Sequence, residues 1–514
     1  MVFTDLRHQL KAFVAGRWWH RYTLLPGNVT HDYAKKRTIS VIDTHTRIFR
    51  LIILVIACIA LITFSTLFMY VHMGDLSEQK CNGSTHDRHC RIQLAQLWGQ
   101  YTSSFSVPSE ISPATPKSCE ITFAQVLSRH GARYPTEHKS LAYGALIDDI
   151  HNRVTHYGKG FEFIKDFKYT LGADQLTRFG EQQMVKSGQL FYERYQHLTK
   201  IHTPFVRSSG QERVVDSAKR WAEGFHKARL ADETSHTPDT YPYKMLIIPE
   251  AEGFNNSLSP DLCPAFEDSK HESDDEQEMW IDKVVPPLTD RLNQNLPGAN
   301  FTEEETIYMM DLCPFETVAD DKTRLSPFCH LFAMDDWRNY DYYQSLGKWY
   351  GYGNGSPLGP TQGVGFVNEL LSRLTGKPVD DHTTTNSTLD GFEDTFPHGR
   401  ALYADFSHDN DMMDIYGALG LYNLTAPLPG DRRISPHKAK GFSASWAVPF
   451  AARLYVEKMT CAGHDEELVR ILVNDRVIPL QNCGADVFGR CTLNRFVESQ
   501  SFARNGGHWD QCFV

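Results

Sequence analysis

The segment LSRHGARYPT, residues 127–136, places Arg129, His130, Gly131, Arg133 and Pro135 within seven positions. A neutral imidazole can attack phosphorus in line, and forked guanidinium groups can hold the non-bridging oxygens of a phosphate. Glycine lets the backbone approach the phosphate, and proline fixes the turn. The alternative is a solvated loop with a stray histidine, but chance produces this five-residue pattern on the order of 10⁻⁴ times per chain. The pattern therefore predicts His130 as a nucleophile, with both arginines as phosphate ligands.

A second pair of reactive side chains, His408 and Asp409, lies in the segment SHDND. A departing alkoxide needs a proton, so we predict Asp409 as the general acid and His408 as a further phosphate ligand. Taken alone, such a pair often arises by chance, and its interpretation depends on the first cluster. This chemistry needs no metal or other cofactor. The segment CNGSTHDRHC, residues 81–90, could hold zinc, but we favour a small disulfide loop.

Both clusters follow strand-like segments. ITFAQVLS precedes Arg129 and ALYADF precedes His408, while TPFVRSS, residues 203–209, is a third strand candidate. Residues 177–195 and 359–374 have the apolar spacing of amphipathic helices. Strands alternating with helices predict an α/β fold. In such folds ligands bind at the carboxyl edge of the sheet, where helix N-termini favour anions.

The run Leu51–Val71 contains no charged residue over 21 positions. As a helix it would span roughly 30 Å, the thickness of a bilayer's hydrocarbon core. A buried core helix is the alternative, but so long an uninterrupted apolar run is unusual in a soluble core. A cleaved signal peptide does not fit either, because 50 residues precede the run. We predict one transmembrane helix at 51–71, after a basic tail at 1–50 and before a polar stalk at 72–80.

Charge and cysteine distribution predict the orientation of this helix. Residues 1–50 carry nine lysines and arginines against three aspartates, whereas the remainder carries 43 basic and 60 acidic side chains. The basic tail should stay cytoplasmic, which makes the chain a type II membrane protein with an extracellular or lumenal domain at 81–514. Ten of the eleven cysteines follow the run, as expected for disulfides in an oxidising compartment. Glycosylation sequons on the same side agree, at Asn82, Asn255, Asn300, Asn354, Asn386 and Asn423.

FAQVLSRHGARYPT and YADFSHDND resemble the two active-site motifs of histidine acid phosphatases, and the chain most resembles the fungal phytases among them. The resemblance extends over about residues 81–514 and includes LWGQY, LGADQLTRFGEQ, VRSSGQERV, SPFCHLF, SPLGPTQG, LVNDRVIPL and SFARNGG. It implies a large α/β domain, with a central sheet flanked by helices, and a smaller all-α domain covering the site. It also implies that residues 98–118 pack on the domain, although their Ser/Thr/Pro-rich composition alone suggests a linker.

The same resemblance implies roles for individual residues. His130 would be the nucleophile and Asp409 the proton donor. The scissile phosphate would be held by Arg129, Arg133, Thr136, Arg207 and His408, and other parts of the substrate would be touched by Gln100, Tyr101 and Lys348. All ten cysteines beyond the membrane run would be paired, as Cys81–Cys90, Cys119–Cys461, Cys263–Cys512, Cys313–Cys329 and Cys483–Cys491.

The predicted function is a membrane-anchored phytase that hydrolyses myo-inositol hexakisphosphate through a phosphohistidine, as a monomer and without nucleic acid. The chain differs from the fungal relatives in two features: it has the membrane run, and fewer basic residues surround the predicted site. Gly347 in SLGKWYG stands where some relatives have a lysine, and HKSLAYG, residues 138–144, is also less basic. A broad-specificity acid phosphatase is therefore the second candidate. An inactive phosphate-binding surface glycoprotein is a third, of a different class, although neither His130 nor Asp409 is lost. A cytosolic phosphate-transferring mutase would not carry the membrane run.

Overall fold

The computed structural model describes residues 53–54, 57–58, 88–236, 240–269 and 272–514. The predicted basic tail, the stalk and nearly all of the run Leu51–Val71 lie outside these ranges, as does Cys81. Within the described ranges, no helix combines the length and the apolar character needed to cross a bilayer. Residues Cys81–Val514 form one compact unit.

A mixed sheet forms the centre of this unit, which confirms the predicted α/β class. Its strands are β1 (Cys119–Arg129), β2 (Phe205–Ser209), β3 (Met245–Ile248), β4 (Leu402–Ser407), β5 (Arg453–Cys461), β6 (Leu468–Val473), β7 (Arg476–Val477) and β8 (Arg490–Thr492). Their order is β3-β2-β4-β1-β5-β6-β7, with β8 also paired to β6. The first four strands of that order are mutually parallel, and the pairings from β1–β5 onward are antiparallel.

Helices cover both faces of the sheet. In chain order they are α1 (Arg88–Ala95), α2 (Glu137–Arg153), α3 (Arg178–Arg194), α4 (Gln196–Thr199), α5 (Glu212–Ala231), α6 (Pro264–Ser269), α7 (Glu272–Val284), α8 (Pro286–Asn295), α9 (Glu303–Ala319), α10 (Met334–Tyr352), α11 (Gly359–Gln362), α12 (Val364–Thr375), α13 (Ser387–Asp390), α14 (Asp409–Ala418), α15 (Ala444–Ala447), α16 (Leu493–Ser499) and α17 (Ser501–Arg504). Short 3-10 helices lie at Gly99–Tyr101, Glu162–Asp166, Pro327–Leu331, Gln481–Cys483 and Trp509–Phe513.

The central strand β1 is buried almost throughout because it has neighbours on both edges and helices on both faces. Its side chains alternate between two hydrophobic cores. Phe123 and Leu127 enter the core that contains α12 and α14, while Ala124 and Val126 enter the core formed with α3 and α5.

The helices α2 and α7 to α10 surround a further hydrophobic core. They supply the smaller helical part that the resemblance implies, but they do not separate from the sheet as a unit of their own. The reason is visible in α10, whose residues Trp337 and Tyr340 enter this helical core while Leu346 and Trp349 enter a core of the sheet. One continuous helix therefore belongs to both parts.

Four of the implied disulfides are confirmed: Cys119–Cys461, Cys263–Cys512, Cys313–Cys329 and Cys483–Cys491. The pairing Cys81–Cys90 lies partly outside the described residues. The segment 98–118 does pack on the sheet, since Ser103 bridges to Phe450 and the backbone N–H of Val107 donates to the carbonyl of Asn474.

Candidate active site

The two sequence clusters meet at one edge of the sheet because β1 and β4 are parallel neighbours. Arg129 lies opposite Ser407 in the register, so the next residues, His130 and His408, leave the sheet side by side. Their ring centroids are 5.7 Å apart, with one ring edge facing the other. Carboxyl ends of parallel strands commonly hold ligands, and this edge carries the predicted nucleophile.

His130 is held as a neutral imidazole with a defined tautomer. Its Nδ1 lies 2.8 Å from the carbonyl oxygen of Gly131, which can only accept, so Nδ1 carries the proton and Nε2 keeps its lone pair. Burial lowers the pKa of His130 well below its usual range, and the nearby charges of Arg129, Arg213 and Arg133 lower it further. Nε2 is therefore available as a nucleophile even in acidic solution.

Contacts with α3 and α5 hold the turn after His130 in place. A Cβ on Gly131 would lie 2.4 Å from the carbonyl oxygen of Gly180, so no larger residue fits this approach of turn to helix. The N–H of Gly131 donates to the hydroxyl of Ser217, and the N–H of Ala132 donates to the amide oxygen of Gln183. The nucleophile consequently sits on a rigid support.

Arg129 and Arg133 are buried beside His130 with polar atoms unused by the described residues. Arg129 Nη1 donates to the carbonyls of Gln100 and Val448, while its Nε has no partner and its Nη2 approaches only Asp409, at 3.3 Å. Arg133 Nη1 donates to the carbonyl of Tyr134, and its Nε is likewise unpaired. Buried donors without partners need an explanation, and a bound oxyanion provides one.

A third arginine, Arg213, also faces this site and was missed in the sequence. It lies in the first turn of α5, its Nε lacks a partner among the described residues, and its Nη1 is 3.5 Å from Asp174. Burial lowers the pKa of Arg213 to about 10, with Arg133 contributing in the same direction. Its position in the sequence could have identified it, because it follows the end of β2, at the edge where β1 and β4 also end.

Arg207, which was predicted to hold the scissile phosphate, forms ion pairs with buried carboxylates instead. It lies within β2, where its Nε donates to Asp405 at 2.8 Å and its Nη2 to Glu369 at 2.6 Å. Asp405 is also paired with Arg373, at 2.5 Å, so the group forms an internal cluster of charges. Because the strand continues two residues beyond Arg207, its side chain does not reach the edge that carries His130. The prediction for this residue is corrected in favour of Arg213.

Asp409, the predicted general acid, begins α14 and faces two cations. Its carboxylate lies 2.8 Å from Lys348 Nζ and 3.3 Å from Arg129 Nη2. Burial alone would raise the pKa of Asp409, but Arg129 and Lys348 together hold it well below the usual range. Lys348 was predicted to touch remote parts of the substrate; in the unliganded protein its ammonium group contacts Asp409 and the side chain of Asn410. Asp409 is therefore ionised in the unliganded protein.

His408 pairs with Glu250, a residue that follows β3. The imidazole Nε2 lies 3.0 Å from Glu250 Oε1, and the same carboxylate accepts from the hydroxyl of Ser209 and from the N–H of Gln211. Burial opposes ionisation of Glu250, but His408 and these donors lower its pKa to about 2. Glu250 thus holds the Nε2 side of the His408 ring and orients the imidazole beside His130.

Gln100, Tyr101 and Thr136 lie around this centre in less direct positions. Gln100 accepts from Arg129 through its backbone and donates through its side chain to Gln344. The ring of Tyr101 packs on Phe315, with centroids 4.7 Å apart. Thr136 is the residue at the N-terminal cap of α2. The structure therefore brings eight of the predicted residues to one region, places Thr136 at the start of α2 and leaves Arg207 apart.

Comparisons with known proteins agree with this arrangement. The family profile described as histidine phosphatase superfamily (branch 2) matches residues 120–474. A protein named Phytase A from Emericella nidulans is 51% identical over 443 residues, which cover 85% of this chain and 95% of the relative. Phytase A from Aspergillus oryzae is 49% identical over 441 residues, 85% of this chain and 94% of the relative. The crystal structure of a phytase from D. castellii superposes with a TM-score of 0.67 at 22% identity, covering 85% of this chain and 92% of that one.

Proposed function

This chain belongs to the histidine phosphatase superfamily, branch 2, and is a phosphoric monoester hydrolase; from that premise we propose that it is a phytase. The observation that carries the proposal is the neutral, buried His130, surrounded by three arginines with unused donors and facing Asp409. The relatives at about half identity that bear the name phytase support inositol hexakisphosphate as the substrate.

The reaction proceeds through a phosphohistidine. Nε2 of His130 forms a bond to phosphorus as the bond between phosphorus and the inositol oxygen breaks, and the departing alkoxide takes a proton from Asp409. Arg129, Arg133 and Arg213 bind the non-bridging oxygens and oppose the charge that spreads over them. Water then attacks the phosphohistidine, giving up a proton to Asp409, which regenerates the free imidazole and releases phosphate.

The proton on Asp409 arrives with the substrate. In the free protein this carboxyl is ionised, because Arg129 and Lys348 hold its pKa low. A phosphate monoester loses its second proton near pH 6, so in acidic solution it enters as a monoanion that carries one proton. Once bound, its negative charge offsets the arginines and weakens their hold on the Asp409 carboxylate, so the proton can pass to Asp409 before the ester bond breaks.

A broad-specificity acid phosphatase is the second candidate, and two positions favour it. Gly347 carries no side chain, and Lys139 is already paired with the fully buried carboxylate of Asp311, at 2.9 Å. Neither position offers a free cation to a second or third phosphate of inositol hexakisphosphate. Relative turnover of that substrate and an aryl phosphate separates the two candidates.

We also propose that the domain is membrane-anchored, with the helix at Leu51–Val71 and the basic tail in the cytoplasm. The proposal is supported by the uncharged run and by the excess of lysine and arginine before it.

Phosphate release by the purified, detergent-solubilised full chain, compared with a His130→Ala variant, tests the proposed mechanism. Removing the nucleophile should lower kcat by at least about 10³-fold, because the covalent step needs the lone pair of His130 Nε2. Rapid quenching of the unaltered chain should trap an acid-labile phosphoenzyme that the variant lacks. Substantial turnover by a folded His130→Ala variant would contradict the mechanism. Absence of release by the unaltered chain would favour the inactive phosphate-binding glycoprotein.

A further inference from the structure

A second cleft of about 520 Å³ lies behind the catalytic turn, between α3 and the segment 103–106. Its lining includes Ser103, Ser104, Gln183, Lys186, Arg453 and Asp475. Gln183 is the residue whose amide oxygen accepts from the N–H of Ala132 in the turn, so the cleft and the catalytic site share a wall. Its lining contains none of the charged residues described above around His130.

Arg453 is the unusual residue of this cleft. It begins β5, opposite Ser128, and is 6% exposed. Its side chain makes no hydrogen bond and no ion pair with any residue that the structure describes, and its Nε is fully shielded from solvent. Other buried arginines of the same sheet have carboxylate partners: Arg470 pairs with Glu457, Arg490 with Asp486 and Arg207 with Asp405.

Burying a guanidinium without a counter-charge lowers the stability of the folded protein. For the arginines around His130, a bound phosphate can supply the missing charge. Arg133, whose charge acts on His130, is buried to a similar degree and keeps an unpaired Nε. Arg453 repeats this feature in a separate cleft. The parallel suggests that its counter-charge is supplied by a ligand from solution.

The other lining groups fit an anion better than a cation. Lys186 is exposed at the rim, and the hydroxyls of Ser103 and Ser104 have no hydrogen-bond partner among the described residues. Arg194 also lines the cleft, although Glu457 neutralises it at 2.8 Å. Asp475 is the carboxylate that lines the cleft, where it accepts a hydrogen bond from the hydroxyl of Ser106 and forms no ion pair with Arg453.

We propose that this cleft is a second anion site that binds a phosphate group through the fork of Arg453 and the ammonium group of Lys186. A forked guanidinium beside a lysine and two hydroxyls matches the tetrahedral arrangement of phosphate oxygens. The cleft is larger than phosphate itself, so the group can be inorganic phosphate or one phosphate of an organic ester. The site does not depend on which ester the catalytic centre prefers.

Isothermal titration of the detergent-solubilised full chain tests the site, with inorganic phosphate in one arm and myo-inositol hexakissulfate in the other. We expect two binding events in the unaltered chain and one in Arg453→Met, which should keep its turnover of a simple aryl phosphate within about twofold because Arg453 does not face His130. Arg178→Met is the matched control: this arginine of α3 is exposed and paired with Asp321, so two events should remain. A second event with phosphate identifies the free anion as sufficient, and one seen only with the hexakissulfate assigns the site to an organic ester.

A single event in the unaltered chain with both probes, or two unchanged events in Arg453→Met, would overturn the proposal. If Arg453→Met does not fold, diffraction from crystals of the unaltered chain soaked in selenate decides the question. An anomalous peak within hydrogen-bond distance of the Arg453 guanidinium supports the site. An empty cleft beside an occupied catalytic site overturns it.

Discussion

Arg129, Arg133 and Arg213 have two effects on His130. Their unused N–H groups can hold a phosphate, and their charge keeps the imidazole unprotonated, so the nucleophile and its binding site are set by the same side chains. Asp409 is the compensating charge in the unliganded protein. Substrate binding exchanges that internal pairing for contacts to phosphate, which frees the carboxyl to act as an acid.

Substitution of Arg213 and Arg207 should separate catalytic from structural arginines. Arg213→Met should leave the protein folded and lower kcat/KM by about 10²–10³-fold, because a donor to the transferring phosphoryl group is lost. Arg207→Met should instead leave Asp405 and Glu369 partly unpaired in the core, at a cost of about 3–5 kcal/mol in the free energy of unfolding. Steady-state kinetics and urea denaturation of both variants check this. A stable Arg207→Met with the larger kinetic defect would reverse the assignment.

Activity should have an acidic optimum, at roughly pH 4–6. The protonation state of the substrate phosphate sets this optimum, since the pKa of Asp409 is not that of an ordinary aspartate. His130 stays neutral there because its pKa is lowered, and activity should fall above about pH 6 as the ester loses its second proton. Asp409→Asn should slow inositol phosphates by about 10²–10⁴-fold and aryl phosphates much less, since aryl leaving groups need little protonation. The pH dependence of kcat/KM for both substrates is the measurement. An alkaline optimum, or equal losses on both substrates when chemistry is rate-limiting, would remove Asp409 from the role.

Secondary-structure elements explain why part of this site could be predicted from the sequence. The motifs at Arg129–Arg133 and His408–Asp409 stand directly after apolar strand patterns, and parallel strands end at one edge. The choice between Arg207 and Arg213 required the end of β2, which lies between them. The strand predicted at 203–209 ends at the same residue as β2 and already contains Arg207, but the role of Arg207 came from the resemblance, which named no second arginine in this segment. The sequence did not single out Arg453. The lack of a carboxylate partner for its side chain among the described residues is a property of the folded structure and leaves no local sequence pattern.

The helix α10 offers a place to change substrate preference. Gly347 precedes Lys348 on this helix, and a Cβ at Gly347 would lie 2.6 Å from the side-chain nitrogen of Gln277. That nitrogen donates to the carbonyl of Tyr343 at 3.0 Å, so a side chain at position 347 must displace Gln277 from this hydrogen bond. Gly347→Lys should also favour the helix by several tenths of a kcal/mol. The added cation should raise turnover of inositol hexakisphosphate relative to an aryl phosphate, more strongly at low salt. Gly347→Gln is the uncharged control, and an equal gain with glutamine would exclude an electrostatic cause.

At the scale of the whole molecule, charge opposes the proposed substrate at long range. Residues 51–514 carry 60 acidic against 43 basic side chains, yet this repulsion is screened beyond about 8 Å at physiological salt. Within that distance Arg129, Arg133 and Arg213 dominate. The chain thus combines an acidic surface with a locally positive site, and lower pH should favour encounter by neutralising carboxylates.

Orientation in the membrane is a prediction about the whole chain. Protease added outside sealed cells, or outside sealed vesicles whose non-cytoplasmic face is turned outward, should reach the phosphatase domain and spare the basic tail, because positive flanks remain cytoplasmic. Mass spectrometry should find glycans at Asn300 and Asn423, whose side chains are exposed, and none at Asn28. A glycan on Asn28 would show that the orientation is inverted.

The position of β1 in the sheet has a consequence for biosynthesis. His130 directly follows this strand, which lies between β4 and β5, and Cys119 at the start of the strand is bonded to Cys461, 342 residues later. A nascent chain that has already made the nucleophile and its arginines still lacks Asp409 and both neighbours of the strand. Translation must pass Cys461 before a competent centre can assemble. The enzyme should therefore stay inactive until translation has passed β5.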